Sequence, residues 1–211
     1  MLLNFILYGV YLLCLLIVIW LGAVRLRIME QPARIFYVLI LISFVSELTA
    51  SGIEYFIGDN HNVYNVTDII QMFTVCLYFT ACLKKWWIVA LGYFSIAFGV
   101  YDYFWLQQED LINNYFLLWC GIVVISLCLY MMVFLSHREG HEKLTRFAHF
   151  WFSAALMFYW TVDLLNSQVF NSAAELNKDY AAMLNAMHIV TNIIAYGIIG
   201  FGFWCLPKLI Q

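Results

Sequence analysis

The acidic residue in the most unusual position is Glu47, which lies in the middle of a long apolar segment. Ser43 precedes it by four residues, and Ser51 and Glu54 follow it by four and seven, so on a helix these side chains form one polar stripe. A carboxylate costs a large free energy in lipid, so Glu47 is expected to face a bundle interior or a water-filled cavity. The stripe therefore predicts a polar cavity inside a bundle of membrane helices.

Other apolar segments also carry polar side chains at helical spacing. Asp163 and Asn166 lie three residues apart, which places them on one face of a helix. His188 and Asn192 lie four residues apart and share a face in the same way. Asp102 lies near the end of its segment, where it is either a hydrated carboxylate or part of the same site. The candidate ligand-binding residues are Glu47, Glu54, Asp68, Gln71, Asp102, Trp160, Asp163, Asn166, His188 and Asn192.

These candidates are rich in carboxylates, and His188 is their only basic side chain. Carboxylates in a low-dielectric site take up a proton, bind a cation or remain hydrated. The group therefore predicts a site for a proton, a metal ion or a small cationic ligand, with Glu47, Asp163 and His188 as candidate metal ligands. The alternative is that these residues form interhelical hydrogen bonds and hydrated groups near the lipid headgroups.

The composition sets the class of protein that positions these residues. With 65% hydrophobic and 11% charged residues and a mean hydropathy of +0.85, the chain is far from a soluble domain. A helix needs about 20 apolar residues to cross the hydrocarbon core. The sequence predicts an all-α, polytopic seven-helix bundle that forms a single domain over residues 1–211. The predicted spans are Leu2–Ala23, Ile35–Phe56, Thr67–Leu83, Trp86–Tyr103, Asn114–Leu135, Phe147–Leu164 and Ala182–Leu206.

The basic residues predict the orientation, because short cytoplasmic loops retain Lys and Arg. Nine of the ten Lys and Arg residues fall in every second loop between spans or after the last span, which places them on one side of the membrane. Only Lys178 falls on the opposite side. The prediction is an N-terminus outside and a C-terminus in the cytoplasm, which places the candidate site in the outer half of the bundle. The nine residues are Arg25, Arg27, Arg34, Lys84, Lys85, Arg138, Lys143, Arg146 and Lys208.

No cofactor is identified from the sequence, and retinal is not expected. A Schiff-base lysine would lie inside the seventh span, whereas Lys208 follows Pro207 at its end. The cysteines all lie in hydrophobic segments without a C-x-x-C pair, so neither a disulfide framework nor a zinc knuckle is indicated. Pro32 and Pro207 are the only prolines, and their positions outside the spans count against a carrier with broken helices.

Two resemblances to known families rest on short motifs. The Tyr64-Asn65 pair and the spacing of His188 and Asn192 resemble those of small, uncharacterised seven-pass bacterial inner-membrane proteins. The resemblance implies seven membrane spans and a location in a bacterial inner membrane. A glutamate in the second span followed by a later membrane aspartate is similar to the integral-membrane meroterpenoid cyclases. That similarity implies acid catalysis by Glu47 and Asp163, although Ser46 stands where those enzymes have a tryptophan.

The leading expectation is a receptor-type or sensor-type membrane protein with an outward-facing, acidic and aromatic-lined pocket. Its expected partners are membrane lipids, a small-molecule, lipid or cation ligand, and a cytoplasmic protein, with no nucleic acid. The loop over residues 136–149, which contains three histidines, is either a docking segment for that protein or a hydrated basic turn. The alternatives are an intramembrane enzyme acting on a lipid or isoprenoid, by cyclase-like acid catalysis or hydrolysis, and a proton-linked carrier.

Overall fold

The computed structural model describes residues 2–58, 60–106, 113–138, 144–176 and 178–206. All regular structure in these residues is helical, and strands are absent from them. A π-helical turn follows α4 at Asp102–Leu106, and a 3₁₀ turn precedes α6 at Leu144–Arg146. The α-helices are α1 Leu2–Arg25, α2 Gln31–Ile57, α3 His61–Leu83, α4 Trp86–Tyr101, α5 Asn114–Arg138, α6 Ala148–Leu176 and α7 Lys178–Trp204.

Local sequence explains several helix ends. Pro32 lies in the first turn of α2, where its missing N–H removes no intrahelical bond. After α2, Gly58 takes a φ of 85°, a conformation that glycine adopts without a steric penalty. α3 ends at Leu83, and Lys84 follows it with a φ of 54° while its N–H donates to the carbonyl oxygen of Thr80 at 2.8 Å.

Several helices extend beyond the predicted apolar spans. α3 begins at His61 rather than Thr67, and α6 continues to Leu176 rather than ending at Leu164. α7 begins at Lys178 rather than Ala182. The added turns are polar, so a prediction based on apolar runs finds only the part of each helix that suits lipid.

Six helices in the described part of the chain are long and apolar enough to cross a membrane. They are α1, α2, α3, α4 with its π-helical turn, α5 and α7. α6 is not among them, since its polar residues, including His149, Asp163 and Asn166, lower its hydropathy. The regular structure of the described residues is thus entirely helical, and several of the helices are suited to a membrane, as the composition predicts.

The helices form two compact units. The first unit contains residues 31–120, in which α3 packs against both α2 and α4. The second unit contains residues 1–30 and 121–211, in which α7 packs against both α6 and α1. We refer to them as the α2–α4 unit and the α6–α7 unit.

Close helix contact in the α6–α7 unit depends on Gly202 and on aromatic pairs. A Cβ atom at Gly202 would lie 2.6 Å from the ring of Phe152, so only glycine allows the two backbones to approach this closely. The rings of Phe152 and Phe203 are 4.9 Å apart, and those of Trp151 and Phe201 are 4.8 Å apart. These contacts join the start of α6 to the end of α7, and the antiparallel register brings the middle of α6 opposite the middle of α7.

Candidate functional site

The shortest contact between two candidate residues joins Asp163 of α6 to His188 of α7. The Nδ1 atom of His188 lies 2.8 Å from Oδ1 of Asp163. The Asp163 side chain is 10% exposed, while that of His188 is 34% exposed. The pair therefore has a buried carboxyl end and a half-buried imidazole end.

If Asp163 is ionised, the contact determines which nitrogen of His188 carries a hydrogen. An ionised carboxylate only accepts hydrogen bonds, so Nδ1 of His188 is the donor to Asp163. In neutral imidazole the lone pair then lies on Nε2, which becomes the basic and metal-binding atom. The pair carries one negative charge with neutral His188 and no net charge with protonated His188. It can exchange a proton or compensate a cation.

One aromatic ring contacts the pair, and a second aromatic side chain and an amide lie one helical turn from Asp163. The ring of Tyr159 meets the imidazole of His188 edge-on, with centroids 6.0 Å apart. Trp160 is buried one helical turn before Asp163, and Asn166 is buried one turn after it. The Asn166 Oδ1 atom has no hydrogen-bond partner among the residues that the structure describes.

Asn192 has a structural contact within its own helix. Its Nδ2 atom donates to the backbone oxygen of His188, four residues earlier, at 3.2 Å. Such a bond holds the amide against its own helix. Asn192 therefore shares the face of His188, as the spacing predicts, and its amide reinforces the turn that carries the imidazole.

In the α2–α4 unit, Glu47 is half-buried and accepts a hydrogen bond from the Tyr64 hydroxyl, with Oε2 and the hydroxyl oxygen 3.3 Å apart. One residue earlier, the buried hydroxyl of Ser46 donates to the Thr67 hydroxyl at 3.1 Å. Glu47, which is predicted to face inward, thus lies beside side-chain hydrogen bonds that join α2 to α3.

The contact between Tyr64 and Glu47 was not predicted from the sequence, in which Tyr64 contributed only to a resemblance. The available signal was its position four residues before Asp68, which puts both side chains on one face of α3. Asp68 and Gln71 are both half-buried on α3. Glu54 differs from them, because it is exposed and its Oε2 accepts a hydrogen bond from Asn60 Nδ2 at 3.1 Å.

Asp102 is fully buried, so its interpretation as a hydrated carboxylate at a helix end is wrong. Its Oδ2 accepts a hydrogen bond from the backbone N–H of Phe116 at 2.9 Å. The carbonyl of Asn113 accepts the first intrahelical bond of α5, from Leu117, so Asn113 is the N-cap residue. Asp102 thus replaces the N-cap side chain, and its charge interacts favourably with the helix dipole.

Asn65 holds the same end of α5. Its Oδ1 atom accepts a hydrogen bond from the backbone N–H of Asn113 at 3.3 Å. The π-helical turn that begins at Asp102 carries this carboxylate into the protein interior rather than toward the surrounding solvent. The sequence showed no signal for this arrangement, because it depends on side chains from α3 and from the π-helical turn after α4 meeting the start of α5.

The candidate residues are divided between the two units. Trp160, Asp163, Asn166, His188 and Asn192 belong to the α6–α7 unit. The α2–α4 unit contains the other candidates, which are Glu47, Glu54, Asp68, Gln71 and Asp102.

The described residues contain no group of three or more His, Cys, Asp or Glu side chains that could hold a metal ion. Lys208, on which the expectation about retinal depended, lies outside the described residues. The same is true of residues 139–143 in the predicted inner loop. His137 of that loop is described and exposed, with Nδ1 2.8 Å from the Val133 carbonyl oxygen.

Comparisons with models of protein families, with curated proteins and with solved structures found no match to this chain.

Proposed function

We propose that the chain is a receptor-type membrane protein with seven spans. The six apolar helices provide six of these spans, and α6 provides the remaining one. The N-terminus lies outside and the C-terminus in the cytoplasm, an orientation supported by the bias of Lys and Arg. A bacterial inner membrane is the location that the resemblance implies. A polar helix such as α6 is tolerated in a membrane when its polar face contacts other helices.

The proposed ligand is small and cationic, and it binds beside Asp163 and His188. The observation that carries the proposal is the 2.8 Å contact between a carboxylate that is 10% exposed and an imidazole that is 34% exposed. A bound cation neutralises the carboxylate, and His188 can donate or accept a proton as the ligand arrives. Tyr159 and Trp160 add aromatic surface, which attracts cations.

A signal from this site would pass along α6 and α7 to their cytoplasmic ends. There the Trp151 indole N–H donates to the carbonyl oxygen of Thr145 at 2.8 Å, and Cys205 lies 4.0 Å from the same oxygen through its Sγ atom. The segment before α6 is thus linked to both helices of the pair. We propose that a separate cytoplasmic protein detects a change in their relative position.

The test is thermal unfolding of the purified protein in mild detergent with sodium, calcium, zinc, ammonium or benzylammonium. A ligand at one hundred times its Kd stabilises the folded state by about 2.7 kcal/mol. We expect at least one of these cations to raise the Tm of the parent, and Asp163→Asn and His188→Gln to remove most of the rise.

The matched control is Glu54→Gln, which neutralises an exposed acid of the other unit. This variant should respond to the cations as the parent does. Equal responses in Asp163→Asn, Glu54→Gln and the parent would contradict a site at Asp163.

The second candidate function is an enzyme acting on a lipid or isoprenoid, and the same contact favours it. A carboxylate that holds Nδ1 of a histidine orients Nε2 as a general base, a role His188 could take. Incubation with membrane lipid extract followed by mass spectrometry separates the two functions. A product that the parent forms and His188→Gln does not form would favour the enzyme over the receptor.

A further inference from the structure

The site beside Asp163 and His188 offers hydrogen-bond acceptors to a ligand. Asp163 has a second carboxylate oxygen besides the one that accepts from His188. One helical turn further along α6, the carbonyl oxygen of the Asn166 side chain is buried without a partner in the described residues. A buried acceptor that lacks its hydrogen bond destabilises the folded state, so a donor from a ligand would remove that cost.

The charge of the site disfavours an anionic ligand. The only Lys or Arg between Ala148 and Trp204 is Lys178, ten residues before His188 and thus roughly 15 Å away along a helix. With neutral His188, the pair carries a net negative charge. The ligand therefore needs a positive charge as well as hydrogen-bond donors.

A metal ion suits this site less well than an organic cation. Zinc sites usually take three or four protein ligands, and calcium takes six to eight oxygens. In the described part of the chain, no three His, Cys, Asp or Glu side chains come together in that way. Buried Trp160 and the ring of Tyr159 instead provide apolar and aromatic surface for an organic group.

We infer that the ligand is a primary organic ammonium ion whose N–H groups bond Asp163 and the side-chain oxygen of Asn166. This inference rests on the proposed function and specifies the class of ligand. The Asn166 oxygen is enclosed in the unliganded protein, so this inference requires its side chain to rotate toward the ammonium group on binding. Asn166 is then the residue that distinguishes ammonium ions with N–H donors from those without them.

The test compares three probes of similar shape in thermal unfolding of the full chain. Benzylammonium has a charge and three N–H donors, benzyltrimethylammonium has the charge without donors, and benzyl alcohol has no charge. We expect benzylammonium to stabilise the parent and to bind about tenfold or more tightly than either of the other probes.

Asn166→Leu is the decisive variant, with Asn62→Leu as a control at an exposed asparagine of the other unit. Leucine removes an unpartnered buried oxygen, so without a probe this variant should melt no lower than the parent. It should bind benzylammonium about tenfold more weakly, whereas Asn62→Leu should bind it as the parent does.

Four results would overturn the inference. Equal binding of benzylammonium and benzyltrimethylammonium would show that charge alone is recognised. Unchanged benzylammonium binding in Asn166→Leu would remove Asn166 from the site. Stabilisation by sodium, calcium or zinc but not by benzylammonium would refute the ligand class while the proposed cation site stands. A parent that responds to no cation would refute both.

Discussion

The coupling free energy between Asp163 and His188 can be predicted from their contact and burial. Exposed ion pairs contribute about 0–1 kcal/mol, whereas removing one member of a buried pair costs about 3–5 kcal/mol. The 2.8 Å contact joins a buried carboxylate to a side chain that is 34% exposed, so this pair lies between those limits. We expect a coupling free energy of about 1–2 kcal/mol.

The assay is a double-mutant cycle with Asp163→Leu, His188→Phe and the double variant, measured by reversible unfolding in mixed micelles. His188→Phe should destabilise more than Asp163→Leu, because it leaves a buried carboxylate without its donor. The same cycle on Glu54 and Asn60, an exposed pair, should give a coupling of about 0.5 kcal/mol or less.

Two results would refute this reasoning. A coupling below about 0.5 kcal/mol for Asp163 and His188 would mean that the contact contributes no more than an exposed pair. Equal destabilisation by the two single variants would contradict the difference in burial between the carboxylate and the imidazole.

Three further predictions concern the α2–α4 unit and the orientation of the chain. Asp102→Ala should lower the free energy of unfolding by about 1–2 kcal/mol, since α5 loses its capping carboxylate, and chemical unfolding measures this. Tyr64→Phe removes the 3.3 Å bond to Glu47 and should lower the free energy of unfolding by about 1 kcal/mol or less in the same assay. A single cysteine at exposed Asn62 should react with an impermeant maleimide from outside intact cells. A single cysteine at exposed Gln31 should not react. The opposite labelling pattern would show that the chain has the reverse orientation in the membrane.

The helical class could be predicted from the sequence because it depends on composition and on apolar runs alone. The central part of every α-helix lies within a predicted span, and six of the α-helices in the described residues are long and apolar enough to cross a membrane. The polar turns of α3 before Thr67 and of α6 after Leu164 were missed, because apolar length gives no information about helix outside the hydrocarbon core.

The candidate site was predictable in part. Helical spacing correctly placed His188 and Asn192 on one face of α7, and it grouped Asp163 with Asn166 on α6. It could not show that Asp163 contacts His188, because that pairing depends on how α6 and α7 pack. The burial of Asp102 also depends on tertiary structure, through the π-helical turn and the start of α5.

The most direct test of the cation site beside Asp163 and His188 is nitrogen NMR of the protein labelled at its five histidines. The His188 signals are assigned by their loss in His188→Gln. Spectra are recorded with and without the cation that raises the Tm of the parent most. The account predicts a protonated Nδ1 in His188 and a shift of its two nitrogen signals on cation binding, with the other histidines unchanged. An unprotonated Nδ1, or His188 signals that do not move while the cation stabilises the protein, would contradict it.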